Sequence, residues 1–248
     1  MQNRNYVIKF ASHNSQAMTI GIMQPYFMPY IGYFQLIKAV DRFVILDDVN
    51  FITRGWANRN QIIVNGAKHR FSIRLCRQSQ NRLFNEIVIA DDFHRFFETL
   101  RHSYGKAPYY TPTIEMLKSI CSSTTLFSDF ATNALKSICH HLSIDTEILI
   151  SSQIDKDNNL RQSKRIIDIC RRLNADAYIN PIGGQELYDK DDFSRHSIKL
   201  KFIKPEFTPY PQINSSQFIA GLSIIDILMN CDKHQINELL NNYTLIEA

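Results

Sequence analysis

Asp47 and Asp48 stand side by side at the end of an apolar run, Phe43-Val44-Ile45-Leu46. Paired carboxylates at a strand end can ligate a metal, accept a sugar hydroxyl or act as a general base. The plain alternative is that one caps the following turn while the other is solvated. No neighbouring Asp, Glu or His completes a ligand set, so no metal is expected. Asn58-Arg59-Asn60 sets a planar guanidinium between two amides. That combination suits bidentate recognition of phosphate together with sugar hydroxyls, and the alternative is a hairpin entry whose asparagines satisfy turn amides.

Three further segments carry polar or glycine-rich chemistry. Gln24, Tyr30, Gly32 and Tyr33 follow the apolar run 19–23. Ser151, with Ser152, follows a run ending at Ile150, and reads as a hydroxyl donor pair or as an ordinary strand terminator. Gly183-Gly184 follows the run 177–180, and forms either a main-chain nest for an anion or a tight turn. The spacing Tyr30-x-Gly32-Tyr33, after a strand and opening a helix, is similar to the H-x-G-H element of nucleotidyltransferase-like folds, with tyrosine at both histidine positions. Tyrosine has a pKa near 10 and donates a hydrogen bond without replacing a protonatable imidazole, so ligand binding is expected there rather than ordinary adenylyl transfer. No motif specifies a cofactor.

The elements that must position these residues alternate. Apolar runs at 19–23, 43–46, 146–150 and 177–180 read as buried strands, with helices at 31–40 and 160–173 between them. Such alternation predicts an α/β fold with a mainly parallel sheet, whose ligands bind outside the carboxyl ends of the strands. Asn65-Gly66 between 61–64 and 69–75 predicts an inserted β-hairpin. Segment 93–142 is helical throughout and is expected to form a subdomain, followed by a strand at 197–203 and a helix at 222–229. Residues 1–17 read as a loose extension, and 18–248 as a single α/β domain with a helical insertion at about 93–142.

The 248 residues are 44% hydrophobic and 21% charged, enough for a sizeable core. No apolar run approaches the roughly 20 residues of a membrane helix. No secretory signal is visible, and the five cysteines, Cys76, Cys121, Cys139, Cys170 and Cys231, are dispersed and in no C-x-x-C pair. Reduced thiols and a cytoplasmic location are therefore expected. The net charge of +4 is small, but no acidic residue lies between Asp48 and Glu86, where Arg54, Arg59, Lys68, Arg70, Arg74, Arg77 and Arg82 all fall. A one-signed stretch favours an anionic partner such as a nucleotide-linked sugar or an RNA backbone, or is a solvated hairpin face.

The blocks Gln24-Pro25-x-x-x-Pro29-Tyr30-x-Gly32-Tyr33-Phe34, Asp41-x-Phe43-Val44, Asp47-Asp48-Val49-x-Phe51 and Asn58-Arg59-Asn60 occur in order. They are followed by Tyr104-x-Lys106-Ala107-Pro108-Tyr109, by Asn174-Ala175-Asp176-Ala177-Tyr178 with Gly183-Gly184 and Tyr188, and by Leu222-Ser223-Ile224-Ile225-Asp226 with Asn230-Cys231. Together they resemble the WbqC-like family from about residue 18 to 231. Two departures are Tyr30, where members often carry tryptophan, and Pro181-Ile182, where a Ser-Gly pair is usual. The resemblance implies a role in O-antigen or other surface-polysaccharide assembly. It is read as a transferase acting on an activated amino sugar, adding an acyl or aminoacyl group. The competing readings are a non-catalytic nucleotide- or sugar-binding assembly protein, and use of aminoacyl-tRNA as donor, for which no RNA-binding motif is present.

Overall fold

The computed structural model describes residues 17–76, 78–122 and 125–248. The expected extension, apart from Ala17, and Arg77 of the basic stretch lie outside the described residues. In chain order the elements are β1 (Thr19–Met23), α1 (Ile31–Lys38), β2 (Arg42–Ile45), β3 (Arg59–Val64), β4 (Ala67–Ser72), β5 (Leu75–Cys76) and β6 (Val88–Ile89). Then come α2 (His94–Tyr104), α3 (Tyr110–Cys121), α4 (Phe127–His141), β7 (Glu147–Ile150), α5 (Gln162–Arg172) and β8 (Ala177–Pro181). The chain closes with α6 (Lys190–Ser194), β9 (Lys199–Pro205), α7 (Ile224–Asn230), α8 (Lys233–Asn241) and β10 (Tyr243–Glu247).

One sheet organises the molecule, in the order β10-β9-β8-β1-β2-β7. The pairs β1–β2, β1–β8, β2–β7 and β8–β9 are parallel, and β10 closes the edge antiparallel to β9. The four apolar runs therefore lie side by side, as their sequence predicts. Parallel strands covered on both faces are apolar throughout, which is why Ile20, Ile22, Phe43, Val44 and Ile45 are all buried. Numbered within this sheet, the order is 3-2-1-4-5-6, that of doubly wound α/β proteins. The order reverses between β1 and β8, so Gln24 and Pro181 flank the switch point.

One face of the sheet carries α5 and α6, whose Ile166, Ile167, Ile169, Cys170 and Phe193 pack with Ile22 and Val44. The other carries α1, α7 and α8 in a larger apolar core. The expected hairpin is present as β3–β4, with Val64 opposite Ala67, and both turn residues, Asn65 and Gly66, have positive φ as the tight turn requires. Helices α2, α3 and α4 contribute to the same apolar core as α1. Phe27, in the loop after β1, meets Phe96 of α2 at 5.8 Å and Phe130 of α4 at 4.9 Å. All five cysteines are free thiols, with Cys139, Cys170 and Cys231 buried.

Candidate functional site

The loops after β1, β2, β7 and β8 leave the sheet at its carboxyl edge. Asp47 and Asp48 end β2, and both are tied into the loop that follows β7. Asp47 is buried and accepts from the backbone N–H of Ser152 at 2.9 Å, from the Ser152 hydroxyl at 2.6 Å and from the Asn85 amide at 3.3 Å. Asp48 is held by two cations, the Lys156 ammonium at 2.6 Å and the Arg165 guanidinium at 2.7 Å. Lys156 also donates to the Ser151 carbonyl, and Arg165 to the Asp48 carbonyl at 3.2 Å. Burial alone would raise the Asp48 pKa. The hydrogen bond from Lys156 and the charges of Arg165 and Lys156 outweigh it and hold the carboxyl below its ordinary value.

A cleft of about 710 Å³ opens beside this cluster, lined by Asp48, Asn50, Ser152, Asn158, Arg161 and Arg165 among others. The local sequence accounts for its floor. Helix α5 is strongly amphipathic: its Ile166, Ile167, Ile169 and Cys170 face the sheet, which brings its first turn to the carboxyl edge beside Asp48. Arg161, at the N-cap, is exposed, and its Nη1 donates to the carbonyls of Asn158 at 2.5 Å and Leu160 at 3.0 Å.

The other sequence-predicted residues fall in separate neighbourhoods. Tyr33 is buried and its hydroxyl donates to the Gln24 carbonyl at 2.7 Å, and burial pushes its phenol well above the usual range. Tyr30 caps α1 with no side-chain hydrogen bond, and its ring lies 6.3 Å from that of Phe207. A Cβ on Gly32 would come within 2.4 Å of the Tyr30 ring and 2.6 Å of Pro205. Gly32 thus admits protein side chains where the sequence comparison with H-x-G-H suggested a nucleotide.

Asn60 donates to the Met28 carbonyl at 2.7 Å, and Asn58 to the Ile73 carbonyl at 2.9 Å, so both amides brace loops as the hairpin reading has it. Arg59 uses Nε on the Gly55 carbonyl at 2.5 Å, with its guanidinium 5.8 Å from the ring of Trp56, the chain's only tryptophan, which is 49% exposed. Ser151 is buried beside Asp48. Gly184 is buried against Asn180, whereas Gly183 is exposed with open space where its Cβ would stand. The structure therefore brings Asp47, Asp48 and Ser151 together and sets Gln24 with Tyr33, Asn58 with Asn60, and Arg59 apart.

Arg161 and Arg165, which line the cleft, and Lys156, which is buried against Asp48, are absent from the sequence-based site. Their only sequence signal is the Arg161-x-x-x-Arg165 spacing at the start of an amphipathic helix, just after a strand-end loop. A second buried carboxylate, Asp226 of α7, lies elsewhere and has no cation beside it. It accepts from Tyr104 at 2.7 Å, Tyr210 at 2.6 Å and Gln212 at 2.9 Å, and burial raises its pKa. Among the described residues no group of three or more His, Cys, Asp or Glu side chains could hold a metal ion. No helix among them is long and apolar enough to cross a membrane.

Fold and site together define a mixed α/β protein with a mostly parallel sheet and a cation-lined cleft at its carboxyl edge. Residues 24–238 match the model of the WbqC-like protein family, and the chain belongs to that family. It is 24% identical over 217 residues to the uncharacterized protein Rv1507c of Mycobacterium tuberculosis, spanning 85% of this chain and 93% of that one. No solved structure matches it significantly.

Proposed function

We propose that the chain is a transferase of surface-polysaccharide assembly that binds an activated, anionic amino sugar in the Asp48–Arg161–Arg165 cleft and adds an acyl or aminoacyl group to it. The observation that carries this reading is the cleft itself, which sets arginines and neutral donors around a carboxylate at the strand ends where α/β proteins hold ligands. Membership of the WbqC-like family supports the pathway part of this reading. The reading includes a nucleotidyltransferase-like descent for the sheet, supported by the position of Tyr30-x-Gly32-Tyr33 at the start of α1, following β1.

One observation favours the alternative of a non-catalytic binding protein. Asp48 is clamped between two cations and its pKa is lowered, which makes it a weak general base. In either case Asp48 organises the cleft by holding Lys156 and Arg165 in place.

A thermal-shift panel of nucleotide sugars, nucleotides and acyl-coenzyme A, at low and moderate salt, tests ligand binding. A true ligand raises the melting temperature in proportion to RT ln(1 + [L]/Kd). A nucleotide sugar is expected to stabilise the chain, and incubation with it and an acyl donor should yield an acylated sugar by mass spectrometry. Stabilisation without product supports the binding-protein alternative, and a panel with no response from any nucleotide sugar or nucleotide removes both readings.

A further inference from the structure

The hairpin β3–β4 is covered on one edge and open on the other. Ile73 donates to the Asn58 carbonyl at 2.9 Å, which fixes the parity of the ladder: odd-numbered residues of β4 turn their N–H and C=O groups to β3, and even-numbered ones turn theirs away. On the outer edge of β3, the Gln61 carbonyl accepts from the Ser223 N–H at 2.8 Å, and the Ile63 N–H donates to the Tyr104 hydroxyl at 3.2 Å. On the outer edge of β4, the outward groups of Lys68, Arg70 and Ser72 have no partner among the described residues. All three residues are exposed.

A neighbouring strand runs on that side and stops short. β6 pairs with β5, and Ala90 continues the line by donating to the Arg74 carbonyl at 2.9 Å, while the Arg74 N–H turns to the Asp91 carboxylate at 2.7 Å. At Asp91 the chain leaves for α2. Beside Ser72 and Arg70 there is then a groove of about 520 Å³, lined also by His94, Arg95 and Thr99 of α2.

The charges choose the occupant. Lys68, Arg70 and Arg95 form no ion pair among the described residues, whereas Arg74 lies 3.7 Å from Asp91 and 3.9 Å from Asp92. Glu98, one turn after Arg95, is taken by Arg101 at 2.8 Å. A second copy of β4 would set these cations against one another, and like charges directly opposite destabilise a strand pair. A phosphodiester chain supplies acceptors to an edge that alternates donors with acceptors, and it would meet Asp91 and Asp92 in the groove. An extended peptide supplies both kinds of group in alternation, and acidic side chains on it match the cations.

We infer that the open edge of β4 takes an extended acidic segment of a partner protein as a third strand, in line with β6. Segment residues that exchange backbone bonds with Lys68, Arg70 and Ser72 share their face, so carboxylates there reach Lys68 and Arg70. The residues between them point to the side of Phe71, where Phe96 of α2 packs 5.3 Å from its ring. This surface is separate from the Asp48 cleft, and its use is independent of the transferase reading.

Fluorescence anisotropy with the full chain and a labelled, end-blocked synthetic peptide of alternating glutamate and valine tests the edge. Three comparison probes are the same peptide N-methylated at its glutamate amides, a lysine-for-glutamate peptide, and a labelled oligouridine RNA. The protein variants are Arg70→Glu and Ser72→Pro; the second removes one outward N–H and no bond to β3, as an edge strand tolerates. The acidic peptide should bind the wild type and weaken by about 10- to 150-fold with Arg70→Glu. N-methylation and Ser72→Pro should each weaken it by about 10-fold, and the lysine peptide should not bind. The N-methylated probe leaves the protein unaltered, so its result stands even where a variant folds poorly. No binding of the acidic peptide, equal binding of its N-methylated form or of the lysine peptide, or binding of the RNA in preference to the peptide each overturns the inference.

Discussion

The ammonium of Lys156 lies 2.6 Å from the carboxylate of Asp48, with the lysine side chain 1% exposed. Removing one partner of such a pair leaves the other charge buried and uncompensated, at a cost of about 3–5 kcal/mol. Asp48→Asn is therefore expected to lower the melting temperature by on the order of 10 °C, since about 2–4 °C accompany each kcal/mol in a chain of this size. Adding Lys156→Met should recover part of that loss. Calorimetry of the two variants checks both, and a single variant as stable as the wild type would show the pair to be energetically idle.

Asp48 and Asp226 should respond to pH with opposite sign. Asp48 titrates below its ordinary value in the folded state, so its contribution is complete above the unfolded pKa, about 3.9, and is lost as pH falls through the depressed value. Asp226 titrates above its ordinary value because of burial, so the folded chain holds its proton longer than the unfolded one. Its contribution is greatest at acid pH and declines as pH rises from the unfolded value through the raised one. Melting curves of wild type and Asp226→Asn across this range should show the wild type's relative stability falling as pH rises. A difference that grows with pH would contradict the assignment.

The glycines separate packing from permissiveness. Gly32→Ala places a Cβ against the Tyr30 ring and Pro205, and should cost about 1–3 kcal/mol by overpacking. Gly183→Ala meets nothing and should lie within about 0.5 kcal/mol of wild type. Urea denaturation of the two variants is the measurement. Equal losses would mean that Gly183 is constrained by something other than space.

Thiol reactivity should follow burial. Cys76 is exposed, whereas burial pushes the thiols of Cys121, Cys139, Cys170 and Cys231 up to about 12. Native labelling near neutral pH is expected to modify Cys76 first and the other four slowly, and denaturation should release all five. Fast modification of Cys139 or Cys170 would require the core to open.

Much of the sheet was legible because its parallel strands are sealed on both faces and so appear as unbroken apolar runs. β10 was not, since a largely exposed edge strand, Tyr243-Thr244-Leu245-Ile246-Glu247, has no such run. The five-residue α6 and the helix α8 were likewise not read from the sequence. In the site, Asp47, Asp48 and Ser151 could be found from their strand-end positions. Lys156 and Arg165 could not, because a lysine in a polar loop and an arginine on a helix look solvated. Their burial depends on Asp48, 117 positions before Arg165. The amides of Asn58 and Asn60 read equally well as ligand donors or loop braces, and only the Ile73 and Met28 carbonyls reveal what they hold.

The order β10-β9-β8-β1-β2-β7 puts the first strand of the sheet to be synthesised at its centre. On the ribosome β1 can pair with β2 early, but its other edge waits for β8, whose residues lie 158 positions later. Throughout that interval the nascent chain presents an apolar strand edge of Ile20 and Ile22, the kind of template that invites pairing with a neighbouring chain. Truncation anywhere before Ala177 would make that exposure permanent. Fragments of this protein should therefore be recovered as aggregates, or bound to chaperones that recognise open strands, and the cleft beside Asp48 comes into being only once α5 has been made.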